Sequence, residues 1–75
     1  MLQPNINKTI SLFIKKKRKE QKLTQSQLAE LSFGSIKSKS RISEIESGKK
    51  DITLNTLSKI LSSLNCDLKD LGEFN

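Results

Sequence analysis

The sequence has no histidine, tryptophan or tyrosine, and its 75 residues include one cysteine, one proline and three glycines. Without imidazole, the commonest general base and the commonest metal ligand are both missing. The lone Cys66 cannot form an intramolecular disulfide, and its apolar neighbours Leu64 and Leu68 favour a small buried side chain. We therefore expect no catalytic residue, no metal site and no cofactor, and we do not expect an enzyme.

Long apolar runs are also missing from the sequence. No stretch approaches the roughly 20 apolar residues that a membrane-spanning helix needs. The first residues, MLQPNINK, lack the charged and then apolar layout of a signal peptide. From these two absences we expect a cytoplasmic protein with no membrane partner.

Acidic residues are few compared with basic ones. Eight Asp and Glu stand against fourteen Lys and Arg, which gives a net charge of +6 and a pI near 9.7. A positive surplus favours polyanions, because each phosphate that a cation neutralises releases condensed counterions. An anionic membrane is a weaker option, since no helix pairs a basic face with a broad apolar face carrying Trp or Phe. A charge that merely keeps the surface hydrated is the plainer alternative.

The residues that are present favour a small helical domain. A hydrophobic content of 33% built on Leu and Ile fits one all-α domain over residues 1–75, with residues 1–4 frayed at the terminus. Helical spacing predicts five helices, and their apolar positions are Ile6, Ile10, Phe13 and Ile14; Leu28, Ala29 and Leu31; Ile42 and Ile45; Leu54, Leu57, Ile60, Leu61 and Leu64; Leu68, Leu71 and Phe74.

Short polar residues predict where these helices begin and end. Thr24 with Gln27 is a capping-box pattern, and Ser38, Thr53 and Asp67 precede the later helices as N-caps. Left-handed residues that end helices are predicted at Gly34, Gly48 and Asn65.

The helix predicted to begin at Lys39 is apolar on one side only. Ile42 and Ile45 anchor it to a core, and the other face carries hydrogen-bonding side chains of modest length. A helix of this kind suits the reading of base edges in the major groove of DNA. The candidate base-reading residues are Lys39, Ser40, Arg41, Ser43 and Glu44. Arg41 is the first candidate for a bidentate contact with guanine.

Several separated segments together resemble one known family. Thr24-Gln25, Leu28-Ala29-Glu30 and Ile42 to Gly48, with Arg18 upstream and an apolar fourth helix downstream, are similar to the helix-turn-helix family of phage repressors and Cro, also called the xenobiotic-response-element type. The similarity extends from about Ile14 to Leu71. The segment joining Ala29 to Ile42 is longer than the family pattern, so the turn is lengthened. The resemblance implies a compact five-helix bundle of the lambda-repressor-like type that binds double-stranded DNA.

The resemblance also implies roles for particular residues. Arg18 should pair with Glu46 in an internal ion pair, and Gln25 should donate to a DNA phosphate at the positive end of its helix. Composition alone adds further candidate phosphate contacts on the connection and after Gly48, namely Ser35, Lys37, Ser38, Lys49 and Lys50.

A small DNA-binding module buries little surface, which favours a homodimer on a palindromic operator with half-sites roughly 34 Å apart. Leu71 and Phe74 are the candidate dimer-interface residues, because a small bundle offers them few partners. The alternative is that they close the core of the monomer.

Small stand-alone relatives in the family include Cro-like phage repressors, controller proteins of restriction–modification systems, and antitoxins. The chain shows no sensor segment, so no small-molecule ligand is expected. We interpret it as a controller-like or repressor-like autoregulator of transcription. The alternative is an antitoxin-type or other protein-interaction module that uses the same fold.

Overall fold

Five α-helices and one 3₁₀ turn account for most of residues 6–74, which are the residues described by the computed structural model. The helices are α1 (Ile6–Glu20), α2 (Gln25–Phe33), α3 (Lys39–Glu46), α4 (Leu54–Ser63) and α5 (Leu68–Glu73), and the 3₁₀ turn is Ile36–Ser38. These residues contain no strand, so the all-α prediction is confirmed. None of the described helices is both long enough and apolar enough to cross a membrane. The predicted frayed residues 1–4 lie outside the described part.

Three helices begin at the capping residues that the sequence predicts. Thr24 Oγ1 accepts the backbone N–H of Gln27 at 3.0 Å, and Gln27 Oε1 accepts the N–H of Thr24 at 2.8 Å. Asp67 and Asp70 form the same reciprocal pair at the start of α5, and Thr53 Oγ1 caps α4. Because each cap satisfies N–H groups that the first helical turn leaves unpaired, these starts depend on local sequence alone.

The predicted left-handed residues are confirmed at Gly34, Gly48 and Asn65, whose φ angles are 78°, 75° and 58°. Gly48 has a second requirement. A Cβ atom there would lie 3.1 Å from Ser11 Oγ and 3.4 Å from Lys8 Cα. The chain can therefore turn away from α3 and pass close to α1 only because this residue has no side chain.

The start of α3 differs from the prediction in one respect. The helix begins at Lys39 as expected, but Ser38 makes no side-chain capping hydrogen bond. The lengthened connection folds into the 3₁₀ turn, which Ser35 caps by accepting the N–H of Lys37 at 3.1 Å. The carbonyl of Ile36 accepts the N–H of Lys39, so the 3₁₀ turn leads directly into the first residue of α3.

One apolar core joins α1 to α4. Its fully buried large side chains come from all four helices, and Glu46 on α3 is the charged residue that is buried in the described part. The buried apolar residues are Ile10, Phe13, Ile14, Leu28, Ala29, Ile42, Ile45, Leu57, Ile60, Leu61 and Leu64.

Four apolar residues expected in the core are instead exposed. Ile6, Leu54 and Leu68 are the first residues of α1, α4 and α5, and Leu54 is 76% exposed. A side chain at a helix start projects beyond the turns that would cover it, so helical spacing overestimates its burial. Leu31 lies outside because the buried side of α2 carries Leu28 and Ala29. Ser32, the neighbour of Leu31, faces α4, where the Ser32 hydroxyl donates to that of Ser63 at 3.0 Å.

Leu71 and Phe74, for which few partners were expected within one molecule, find partners there, as the alternative held, and their role in a dimer interface stays a prediction. Both are half-buried and pack against the core. The Phe74 ring meets Phe13 edge to face at 5.4 Å between centroids, and Lys16 Nζ lies 5.7 Å from the Phe74 centroid. In a small bundle the last helix can fold back over α1. Packing against the core then covers much of the Leu71 and Phe74 side chains.

Cys66 also packs partly against the core, as expected of a small apolar side chain. Its burial raises the pKa of the Cys66 thiol, and only the nearby Lys17 acts in the opposite direction. The thiol is therefore protonated at neutral pH, and it donates weakly to the carbonyl of Leu64 at 3.4 Å.

Candidate nucleic-acid interface

One side of α3 is buried and the other faces solvent. Ile42, Ile45 and Glu46 point into the molecule. Because residues three and four apart share one side of a helix, Ser40, Ser43, Glu44 and Ser47 form the stripe opposite the core, and Lys39 and Arg41 flank it. All five candidate base-reading residues are exposed, namely Lys39, Ser40, Arg41, Ser43 and Glu44. The exposed face thus carries cationic donors together with hydroxyl and carboxylate groups.

Arg18 ties α3 to the rest of the fold. Its Nε donates to Glu46 Oε2 at 2.6 Å and its Nη2 donates to Glu46 Oε1 at 3.0 Å, which is the ion pair that the family resemblance implied. Its Nη1 donates to the carbonyl of Leu23 at 2.7 Å. The Arg18 side chain is 11% exposed and that of Glu46 is 2% exposed. One guanidinium therefore fixes the angle between α1, α3 and the chain entering α2.

Gln25 contacts the same carboxylate, which the sequence did not indicate. Its Nε2 donates to Glu46 Oε1 at 3.1 Å, and the residue is half-buried. The contact is possible because the buried Glu46 has lone pairs beyond those that Arg18 uses. The amide of Gln25 is thereby oriented at the N-terminal end of α2.

Arg41 lies against a ring that sequence reasoning had not assigned to the site. Its Cζ is 3.9 Å from the centroid of Phe33, the last residue of α2. Within residues 6–74, the Arg41 side chain takes part in no hydrogen bond and no ion pair. This contact could not be predicted, because the path of the connection between α2 and α3 does not follow from the spacing of its residues.

Glu44 is paired with a lysine rather than with Arg41. Lys50 Nζ lies 3.5 Å from Glu44 Oε1, and both side chains are more than half exposed. An exposed pair of this kind contributes about 0–1 kcal/mol. Its effect on the surface is to offset the one negative charge on the exposed face of α3. Together with Arg41, the pair lines a cleft between α3 and the start of α4.

The remaining candidate phosphate contacts lie at the two ends of α3. Lys37, Lys49 and Lys50 are exposed, whereas Ser35 and Ser38 are partly covered. The backbone N–H of Lys49 donates to Ser47 Oγ at 3.3 Å, so the loop after α3 is attached to the helix. Lysines therefore stand both before and after the exposed face of α3.

Basic charge is concentrated away from the last two helices. Residues 54–74 contain two lysines and three acidic residues, so the positive surplus of the chain comes entirely from the residues before α4. No group of three or more Cys, Asp or Glu side chains in the described part is placed to hold a metal ion. The surface around α3 can attract a polyanion, and its polar groups can form directed hydrogen bonds.

The comparisons with known proteins agree with this geometry. A family model described as helix-turn-helix matches residues 14–71, which include Arg18, α2, α3 and α4. No curated protein and no solved structure gives a match. The family match covers most of the chain, and the family binds DNA rather than catalysing a reaction. The chain therefore belongs to the Cro/C1-type helix-turn-helix family of DNA-binding regulators.

Proposed function

We propose that the protein is a dimeric, sequence-specific autoregulator of transcription that binds a palindromic operator with α3 in the major groove. The observation that carries this proposal is the division of α3 into two faces. Its apolar residues and Glu46 are buried, and all the candidate base-reading side chains are exposed. A helix held by its buried side, with donors on the other side, can enter the groove without unfolding any part of the protein.

The base-reading roles follow from the chemistry of each side chain. Arg41 presents unoccupied N–H donors and is assigned to the O6 and N7 atoms of guanine. Lys39 is a second candidate for guanine, and the hydroxyls of Ser40 and Ser43 can donate or accept. Glu44 can accept from the amine of cytosine, and its pairing with Lys50 reduces the repulsion between its carboxylate and the phosphates.

The phosphate contacts are assigned to the groups around the two helix starts. Gln25 uses one amide N–H for Glu46, and its other N–H, with the first backbone N–H groups of α2, is assigned to a phosphate. Lys37, Ser35 and Ser38 before α3 are assigned to one strand of the duplex, and Lys49 and Lys50 after α3 are assigned to the other. These contacts set the orientation and the salt dependence, and they carry no sequence information.

A second copy is proposed because one module of this size buries too little surface for tight specific binding. Leu71 and Phe74 keep some exposed surface for the dimer, although the core covers much of both. Leu54 and Leu68 expose more apolar surface and line a groove between α4 and α5 with a volume of about 620 Å³. The same helices carry no positive surplus, so two copies can meet there with little charge repulsion.

A mobility-shift titration tests the proposal. The protein is mixed with the duplex upstream of its own coding sequence and with a shuffled duplex of the same length, at 50 mM and 200 mM salt. We expect a discrete complex of two protein copies on the upstream duplex, and a specificity ratio on the order of 10³ or more over the shuffled duplex. Equal affinity for both duplexes at both salt concentrations would reject sequence-specific regulation.

The same apolar groove is the one observation that favours the alternative, an antitoxin-type or other protein-interaction module. A protein partner could cover Leu54 and Leu68 in place of a second copy. Sedimentation of the pure protein at micromolar concentration separates the two readings. A dimer supports the autoregulator, and a monomer without specific DNA binding supports the interaction module.

A further inference from the structure

The contact between Arg41 and Phe33 is the closest cation–ring contact in the described chain. Arg41 Cζ lies 3.9 Å from the Phe33 centroid, whereas Lys16 and Lys17 stand 5.7 and 5.8 Å from Phe74 and Phe13. A guanidinium nitrogen aimed at the ring centre would lie nearer to it than Cζ by about 1.3 Å, the length of a resonance-shortened C–N bond. That nitrogen would be inside contact distance, so the guanidinium carbon lies over the ring with no nitrogen aimed at its centre.

A guanidinium that lies over the ring with no nitrogen aimed at its centre leaves an edge of N–H donors available. The five N–H donors of an arginine lie in the guanidinium plane. Within residues 6–74, none of the donors of Arg41 has a partner. Bidentate recognition of guanine uses this edge, so Arg41 can rest on Phe33 and contact a base at the same time.

Phe33 is a suitable platform because it is itself held in place. It is the last residue of α2, it is half-buried, and its side chain packs against the core. The left-handed Gly34 directs the chain away immediately after it. A ring fixed in this way restricts the rotamers of the long Arg41 side chain before any DNA is present, which reduces the entropy lost on binding.

We propose that Phe33 is a positioning residue for base recognition, whose ring pre-orients the guanidinium of Arg41. This inference rests on the proposed function, in which Arg41 reads a base. Phe33 lies outside α3 and need not touch the DNA. The effect of its side chain on specificity is therefore transmitted through Arg41 alone.

The test is a double-mutant cycle on two duplexes. One duplex is selected from a random pool by the wild-type protein, and the other is an unrelated duplex of the same length. Phe33→Leu should weaken binding to the selected duplex by roughly twofold to fivefold, and it should leave the unrelated duplex unchanged. Phe33→Tyr keeps the ring and should bind like the wild type. In an Arg41→Ala background, Phe33→Leu should have no further effect.

Leu31→Ala is the matched control, since it removes an exposed apolar side chain from the same helix without touching Arg41. Circular dichroism establishes that each variant is folded. If Phe33→Leu fails to fold, NMR of the free wild-type protein still tests the contact between Arg41 and Phe33. The side-chain protons of Arg41 should show an upfield ring-current shift by NMR, and its absence would overturn the inference.

The remaining outcomes separate the inference from the proposed function. If selection enriches no sequence, both are rejected. If Arg41→Ala binds the selected duplex as well as wild type, the base-reading role of Arg41 and the positioning role of Phe33 are rejected, and sequence-specific binding through other side chains remains. If Arg41→Ala weakens specific binding but Phe33→Leu does not, only the role of Phe33 is rejected. An equal effect of Phe33→Leu in both backgrounds also rejects it, because the ring would then act independently of Arg41.

Discussion

The two arginines of this chain have the same side chain and opposite surroundings. Arg18 uses the edge of its guanidinium for Glu46 and for the carbonyl of Leu23, and it is almost completely buried. Arg41 holds its guanidinium over the Phe33 ring and keeps its N–H donors unpaired at the surface. An arginine whose donors are satisfied inside the fold stabilises the fold, whereas one whose donors are held ready outside it can recognise a ligand.

The largest expected effect is on stability, from Arg18→Ala. It would leave the Glu46 carboxylate buried without a charged partner, which costs about 3–5 kcal/mol. Urea unfolding should show this loss, and Arg41→Ala should change the free energy of unfolding by less than about 1 kcal/mol. The double variant Arg18→Met with Glu46→Leu should recover part of the loss, because no buried charge remains. Equal destabilisation by the two arginine substitutions would remove the distinction drawn between them.

The second prediction concerns DNA binding, where Arg41 rather than Arg18 is the arginine that contacts the ligand. Arg41→Ala should weaken binding to a selected operator by about 1–3 kcal/mol and leave binding to unrelated DNA nearly unchanged. Paired titrations of the two duplexes measure the difference. An equal loss on both duplexes would show that Arg41 contacts a phosphate and does not read a base.

Lys49 provides a contrast with Arg41, because Lys49 should contact a phosphate only and read no base. Lys49→Ala should weaken binding to every duplex by roughly fivefold at 0.15 M salt and reduce the slope of log K against log salt by about one. Lys69→Ala on α5 is the matched control, since it lies in the part of the chain without a positive surplus. A slope that Lys49→Ala leaves unaltered would place Lys49 away from the DNA.

The smallest expected effects come from the residues that precede α2 and α3. Thr24→Ala removes a reciprocal cap and should cost roughly 0.5–1 kcal/mol. Ser38→Ala should cost less than that, because the Ser38 side chain makes no capping bond. Thermal unfolding of the two variants side by side is the measurement, and a greater loss for Ser38→Ala would contradict the observed cap geometry.

Much of the fold was predictable because its helix boundaries depend on near neighbours. The caps at Thr24, Thr53 and Asp67 act within one helical turn, and left-handed residues such as Gly48 act on their own backbone. The exposure of α3 also followed from the short spacing of its apolar residues.

The errors arose where a residue depends on distant partners. Leu31 shows the difficulty for burial, because the side of α2 that meets α4 carries Ser32 and leaves Leu31 exposed. Gln25 shows the same difficulty for the functional site, because its amide donates to the carboxylate of Glu46, which lies twenty-one residues further along the chain. Neither partner could be identified from the spacing of residues within one helix.

The sequence by itself determined an all-helical chain with a positive surplus, a helix-turn-helix pattern and a donor-rich third helix. These properties follow from composition and from interactions within a few residues. Only the tertiary structure decided that Phe33 lies under Arg41, that Lys50 pairs with Glu44, and that Leu54 and Leu68 remain outside the core. Each of these depends on how separate helices pack, and packing is set by the summed burial of many side chains.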